Sequence, residues 1–86
     1  MHYRGVLSSM QKHDARKTRK ALGETIRNYR IELGISQEKL AELADVHRNY
    51  IGKIERGEQN ITINSLCQLA VVFKRPLSEI LADAGL

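Results

Sequence analysis

Apolar residues return along this chain at helical spacing. With successive residues placed about 100° apart, Leu22, Ile26, Tyr29 and Leu33 fall in one narrow stripe, which predicts an amphipathic first helix. Gly34 follows the stripe, where a glycine can take the left-handed conformation that ends a helix. Ser36 then precedes QEKLAELA; its hydroxyl can accept from an orphan amide, and Glu38 complements the helix dipole. Leu40, Leu43 and Ala44 line one face of this short second helix. Asp45-Val46 leaves only a brief connection to a third helix, about 47–56, closed by Gly57. Two short helices joined by so tight a turn form a helix-turn-helix unit. Beyond the polar loop Glu58-Gln59-Asn60, Thr62 caps a fourth helix with Leu66, Leu69, Ala70 and Phe73 on its stripe. Lys74-Arg75-Pro76 ends it, since the residue before proline is pushed out of the helical region. Leu77, Ile80, Leu81 and Ala84 mark a fifth helix, while Ile31 and Val72 lie off the stripes of their own helices.

Composition agrees with this pattern. At 86 residues, 42% hydrophobic and with one proline, the chain has room for one modest core and suits a helical bundle. Its single cysteine, Cys67, lacks a disulfide partner and sits beside a core stripe, where a half-buried, inert thiol is expected. A reducing, cytoplasmic setting follows by default, and the first ten residues carry no signal-like apolar run. His2, His13 and His47 show no metal-ligand spacing, and no glycine-rich phosphate loop or nucleophile–base pair is present. The expectation is therefore a protein that is not an enzyme and needs no metal or cofactor.

Charge changes the picture more. The net charge is +4, but residues 1–20 hold six cations against Asp14, whereas residues 21–86 hold eight cations against nine carboxylates. A basic N-terminal arm, 1–20, is thus set apart from a helical domain, 21–86. The arm could be a solvated tail, an extension of the first helix capped as far back as Ser9, or a contact to a polyanion. Crowding Arg16-Lys17-Thr18-Arg19-Lys20 into one helical segment would repel, and phosphates would relieve that repulsion.

The third helix carries the candidate chemistry. Ile51 and Ile54 face inward on its wheel, which turns Asn49, Gly52, Lys53 and Arg56 outward, flanked by Arg48 and Tyr50. Arginine can donate two bonds to guanine and asparagine can pair in bidentate fashion with adenine, so the face suits major-groove readout of double-stranded DNA. Gly52 costs roughly 1 kcal/mol inside a helix. Close approach to DNA or tight packing would each explain it.

From Leu22 to about Leu81, the ordered segments IRNYRIELGISQEKLAELA, VHRNYIGKIERG and NITINSLCQLA resemble the lambda repressor/Cro-like (XRE) helix-turn-helix family. Within it, RNYIGKIERGEQNIT looks most like the controller proteins of restriction–modification systems. The resemblance implies an all-α, compact five-helix lambda-repressor-like domain with a basic N-terminal extension. It also implies base reading by Arg48, Asn49 and Lys53, with Tyr50 touching a thymine methyl, a sugar or a phosphate. Gln37, Arg56, Gln59 and Asn60 match backbone-contacting positions, and Gln37 also braces the recognition helix. Arg30 and Glu55 match a structural ion pair between the first and third helices, with Arg30 also within reach of a phosphate. Two positions depart from the family. Asp45 replaces a turn glycine but tolerates the left-handed region, and His47 stands where a better cap is usual, as a weak cap or a phosphate contact.

The family also implies a homodimer built around the fifth helix through Leu77, Leu81, Ala84 and Leu86. Such a dimer occupies an operator and blocks or recruits RNA polymerase. A helix-turn-helix protein-interaction module, a nonspecific nucleic-acid binder driven by the arm, and an antitoxin-type regulator with a toxin partner remain alternatives.

Overall fold

A computed structural model describes residues 14–86, which form five helices: α1 (Ala15–Glu32), α2 (Gln37–Ala44), α3 (Arg48–Glu55), α4 (Ile63–Phe73) and α5 (Leu77–Asp83). The expected all-α class holds. Helix α1 starts where the Asp14 carboxylate accepts from the amides of Arg16 and Lys17, at 3.0 and 3.3 Å. The Lys17 amide, ahead of the Arg16 amide and the nearby cations, holds that exposed carboxyl below its usual range. Residues 15–20 are thus the opening turns of α1, and the cap expected at Ser9 lies outside the described residues. Ser36 and Thr62 cap α2 and α4 as anticipated, each hydroxyl accepting at 3.0 Å from the amide three residues on. Asp45 occupies the left-handed region at φ 56°, so the α2–α3 turn closes without its customary glycine.

Every helix sends at least one branched side chain into a single core. Ile26, Leu40, Ile51, Ile54, Leu69 and Ile80 are wholly shielded from solvent, and such burial contributes about 1.5–3 kcal/mol per side chain. Helix α1 packs along α3 and meets α5, while α2 packs on α3 and α4, and α4 on α5.

Four apolar or sulfur positions depart from the expected pattern. Leu33 is half exposed because α1 stops at Glu32 and the chain turns through Gly34 before the stripe is complete. Leu43 is also half exposed. On α2 the buried face is centred on Leu40 and Ala44 and takes in Ala41, leaving Leu43 about 100° around the wheel. Val72, off the stripe by spacing, is half-buried against the core. Cys67 is exposed rather than half-buried, since Leu66 and Leu69–Ala70 take the inward positions of α4.

At the α1–α5 end, Tyr29 packs edge-on against Phe73 with ring centroids 5.1 Å apart, and the Arg75 guanidinium lies 4.1 Å over its ring. The Tyr29 hydroxyl donates to Asp83. Burial, reinforced by that carboxylate, pushes its pKa up to about 12, so it remains a donor at any ordinary pH.

At the other end, Gly23 allows α1 to lie directly against the last turn of α3. A β-carbon at that position would collide with the main-chain carbonyl oxygen of Ile54 and press on that of Glu55 at 3.2 Å. Gly23→Ala should therefore destabilise the domain by about 1–3 kcal/mol, although alanine favours an isolated helix by about 1 kcal/mol. Gly34→Ala, which meets only open space and a φ of +69°, should cost less. Urea unfolding midpoints of the two variants provide the check, and equal or reversed losses would show that the helices can part at Gly23 without penalty.

Candidate nucleic-acid interface

Helix α3 is fixed from behind and open in front. Ile51 and Ile54 anchor it in the core, while Arg48, Asn49 and Lys53 stand exposed on the opposite side. Together with Gln37, Gly52 and Arg56 these three line one shallow, open depression of ≈ 180 Å³. Gly52 itself is buried. A β-carbon there would lie 3.2 Å from Arg56 Nη1 and 3.7 Å from Gln37 Oε1. In the free protein, close packing by the ends of two polar side chains thus occupies the space the glycine leaves. The residues of this face bear hydrogen-bond donors almost throughout, and the two carboxylates beside it are already engaged. Glu38 meets Arg48 at 3.4 Å and Glu58 meets Arg56 at 3.1 Å. All four groups are more than half exposed, so each pair contributes at most about 1 kcal/mol and can be exchanged for another anion.

What sets the tilt of α3 is the carboxylate of Glu55. Its side chain is 3% exposed. Oε2 accepts from Arg30 Nε at 2.6 Å, and Oε1 accepts from Arg30 Nη2 and from Gln37 Nε2, each at 3.0 Å. Arg30 Nη1 also donates to the carbonyl of Ile35, at 2.9 Å. One buried acid thus ties α1 and the first residue of α2 to the last turn of α3, and Arg30 adds the α1–α2 turn. The hydrogen bonds and charge of Glu55 favour the protonated guanidinium of Arg30, outweighing the loss of solvent around it. The three guanidinium nitrogens all serve the protein's own frame.

The other sequence-marked residues fall outside the depression. Tyr50 is half-buried, and its hydroxyl accepts from the Thr62 amide at 3.3 Å, holding the loop ahead of α4. His47 makes no side-chain cap bond and remains exposed at the start of α3. Gln59 donates to the carbonyl of Asn60, whose side chain accepts from Arg19 at 3.2 Å. Two contributors escaped the sequence reading. Gly23 had a signal, a glycine inside an amphipathic stripe beside Leu22, whereas Arg19 was hidden in a run of like charges.

A helix-turn-helix family model matches residues 26–80, the span holding α2, α3 and the anchor Arg30. The chain belongs to the XRE-type helix-turn-helix family. It is accordingly a DNA-binding transcriptional regulator. Among its relatives, control protein C.SmaI of Serratia marcescens is 42% identical over 65 residues, covering 76% of this chain and 77% of the relative. The crystal structure of the restriction–modification controller protein C.AhdI from Aeromonas hydrophila superposes with a TM-score of 0.70 at 32% identity, covering 72% of this chain and 94% of that one. The clp gene regulator ClgR from Corynebacterium glutamicum gives a TM-score of 0.75 at 26% identity, covering 79% and 72%. The resemblance expected from residues 22–81 is therefore met in both sequence and fold. Among the described residues, no helix is long and apolar enough to cross a membrane.

Removing one partner of the Arg30–Glu55 pair leaves the other partly buried and unanswered. Glu55→Ala should lower stability by about 3–5 kcal/mol, whereas replacing Arg30 and Glu55 together by apolar residues of similar size should cost distinctly less than the two single changes combined. A double-mutant cycle in urea measures this directly. Additive losses would mean that the pair holds nothing in place.

Proposed function

We propose that the chain acts as a cytoplasmic, dimeric, sequence-specific regulator that occupies an operator in duplex DNA and blocks or recruits RNA polymerase. The observation that carries this reading is the two-sidedness of α3: Ile51 and Ile54 are wholly buried, and Arg48, Asn49 and Lys53 are offered outward on the shared face with Gln37 and Arg56. Arg48 suits guanine O6 and N7, Asn49 suits adenine N6 and N7, and Lys53 supplies a second cation to acceptors in the groove. Gln37 and Arg56, at the rim, suit phosphate oxygens and would set orientation rather than sequence. Similarity to the restriction–modification controller protein C.AhdI, and to control protein C.SmaI, supports a role in governing a restriction–modification gene set.

One short helix reads only a few base pairs, so useful specificity calls for two copies on half-sites about 34 Å apart. The proposed interface is built around α5. Leu77, Leu81 and Ala84 are half-buried against the core, and Leu86 is exposed just beyond the helix. This leaves an apolar margin for a two-fold partner.

Binding to duplexes selected from a random pool tests the reading. Arg48→Ala should cost roughly 1–3 kcal/mol on the selected duplex and relax preference at one position per half-site, with Lys53→Ala acting in the same direction but less sharply. Equal weakening on selected and random DNA would remove Arg48 from base reading. For the dimer, Leu86→Glu changes a side chain 56% exposed and so spares the core. Sedimentation should show it monomeric at concentrations where the parent protein pairs. A parent protein that stays monomeric at high micromolar concentration, yet binds its selected duplex tightly, would contradict the arrangement.

A further inference from the structure

The opening turns of α1 and the end of α3 enclose an open cleft of ≈ 590 Å³, lined by Arg16, Lys17, Arg19, Lys20 and Arg56, with Asp14, Gly57 and Glu58 completing it. Five cations face two carboxylates. The amides of the first helical turn are already served by Asp14, so an anion entering the cleft would meet side-chain cations rather than a bare helix terminus.

The cleft is built on a rigid joint. Arg19 Nε donates to the carbonyl of Gly57 at 3.3 Å and Arg19 Nη1 to Asn60 Oδ1 at 3.2 Å, pinning α1 to the loop after α3. Gly57, at φ +74°, lies so close to α1 that a β-carbon would come within 3.0 Å of the Lys20 α-carbon. Arg16, Lys17 and Lys20 are exposed, and among the described residues none of them forms an ion pair. Arg16 and Lys20 stand at i and i+4, where like charges destabilise a helix. The repulsion gives the isolated protein nothing, and an anion in the cleft would remove it.

Arg56 supplies the direction. It lines this cleft and also the depression on the outward face of α3. The outward face of α3 and the basic turns of α1 thus meet at Arg56. We infer that these turns form a second phosphate-binding surface, which holds the backbone of duplex DNA flanking the base pairs read by α3. The inference rests on the DNA-binding reading above and adds a contact that carries affinity and salt sensitivity but no sequence information.

The test compares the full chain with Arg16→Gln/Lys17→Gln/Lys20→Gln. Binding is measured across a potassium chloride series to a long duplex selected by the full chain and to the same duplex trimmed to its selected core. Each phosphate contact contributes about 0.9 to the log–log salt slope on duplex DNA, so the triple variant should be flatter by roughly two to three units on the long duplex. It should match the parent on the trimmed one and select the same sequence from a random pool. Parallel lines on the long duplex, or an equal loss on both duplexes, would overturn the inference. Ethylation interference with the unaltered protein gives a second readout that needs no variant: modified phosphates outside the selected core should weaken binding, and indifference to them would also overturn it. Failure of the full chain to select any sequence would instead bring down the operator-binding reading, and this inference with it.

Discussion

The buried carboxylate of Glu55 is the point on which the arrangement turns. A charge withdrawn from water is costly unless its oxygens are fully answered, and here both are, by Arg30 from α1 and Gln37 from α2. Glu55 occupies the last turn of α3, where the helix dipole alone disfavours a carboxylate. The residue is held there by its partners, not by its local position. The consequence is geometric: the orientation of α3 is referred to two other helices at once, and an apolar contact, which is non-directional, could not define it so closely.

Gly23 and Gly57 do the complementary work at the same end of the molecule. Their missing side chains let the backbone of α1 meet the backbone of α3 and of the turn that follows it. Ion pair and close approach share one interface, α1 against α3, and the core residues Ile26, Ile51 and Ile54 fill it. Stability is thereby concentrated behind α3. The face in front is left to exposed cations and amides whose own ion pairs are weak enough to yield to DNA.

Much of this was legible along the chain because helical periodicity and capping are local. The stripes through Leu22, Ile26 and Tyr29, and through Leu66, Leu69 and Phe73, together with the caps at Ser36 and Thr62, needed only neighbouring residues to be read. The departures lie at the end of α1, on the two-turn helix α2 and, for Cys67 and Val72, on α4. Leu33 continues a stripe on paper but falls after the chain has turned, and on α2 two turns leave Ala41 and Leu43 as near-equal candidates for the buried side. The choice goes to whichever faces α3 and α4, which no local pattern records.

Sequence alone determined the helices, the tight turn between α2 and α3, the family, and the identity of the outward residues Arg48, Asn49 and Lys53. Each of these follows from interactions within a few residues or from an ordered motif. Tertiary structure decided which polar groups serve the frame and which remain free. Tyr50 turned its hydroxyl to Thr62, and Gly52 received the ends of Arg56 and Gln37. Arg19, one charge in a basic run, became the pin between α1 and the loop after α3. The hydrogen bonds of Tyr50 and Arg19 join groups 12 to 41 positions apart, and a hydrogen bond is specified by distance and angle between its two atoms, a quantity that exists only once the helices have packed.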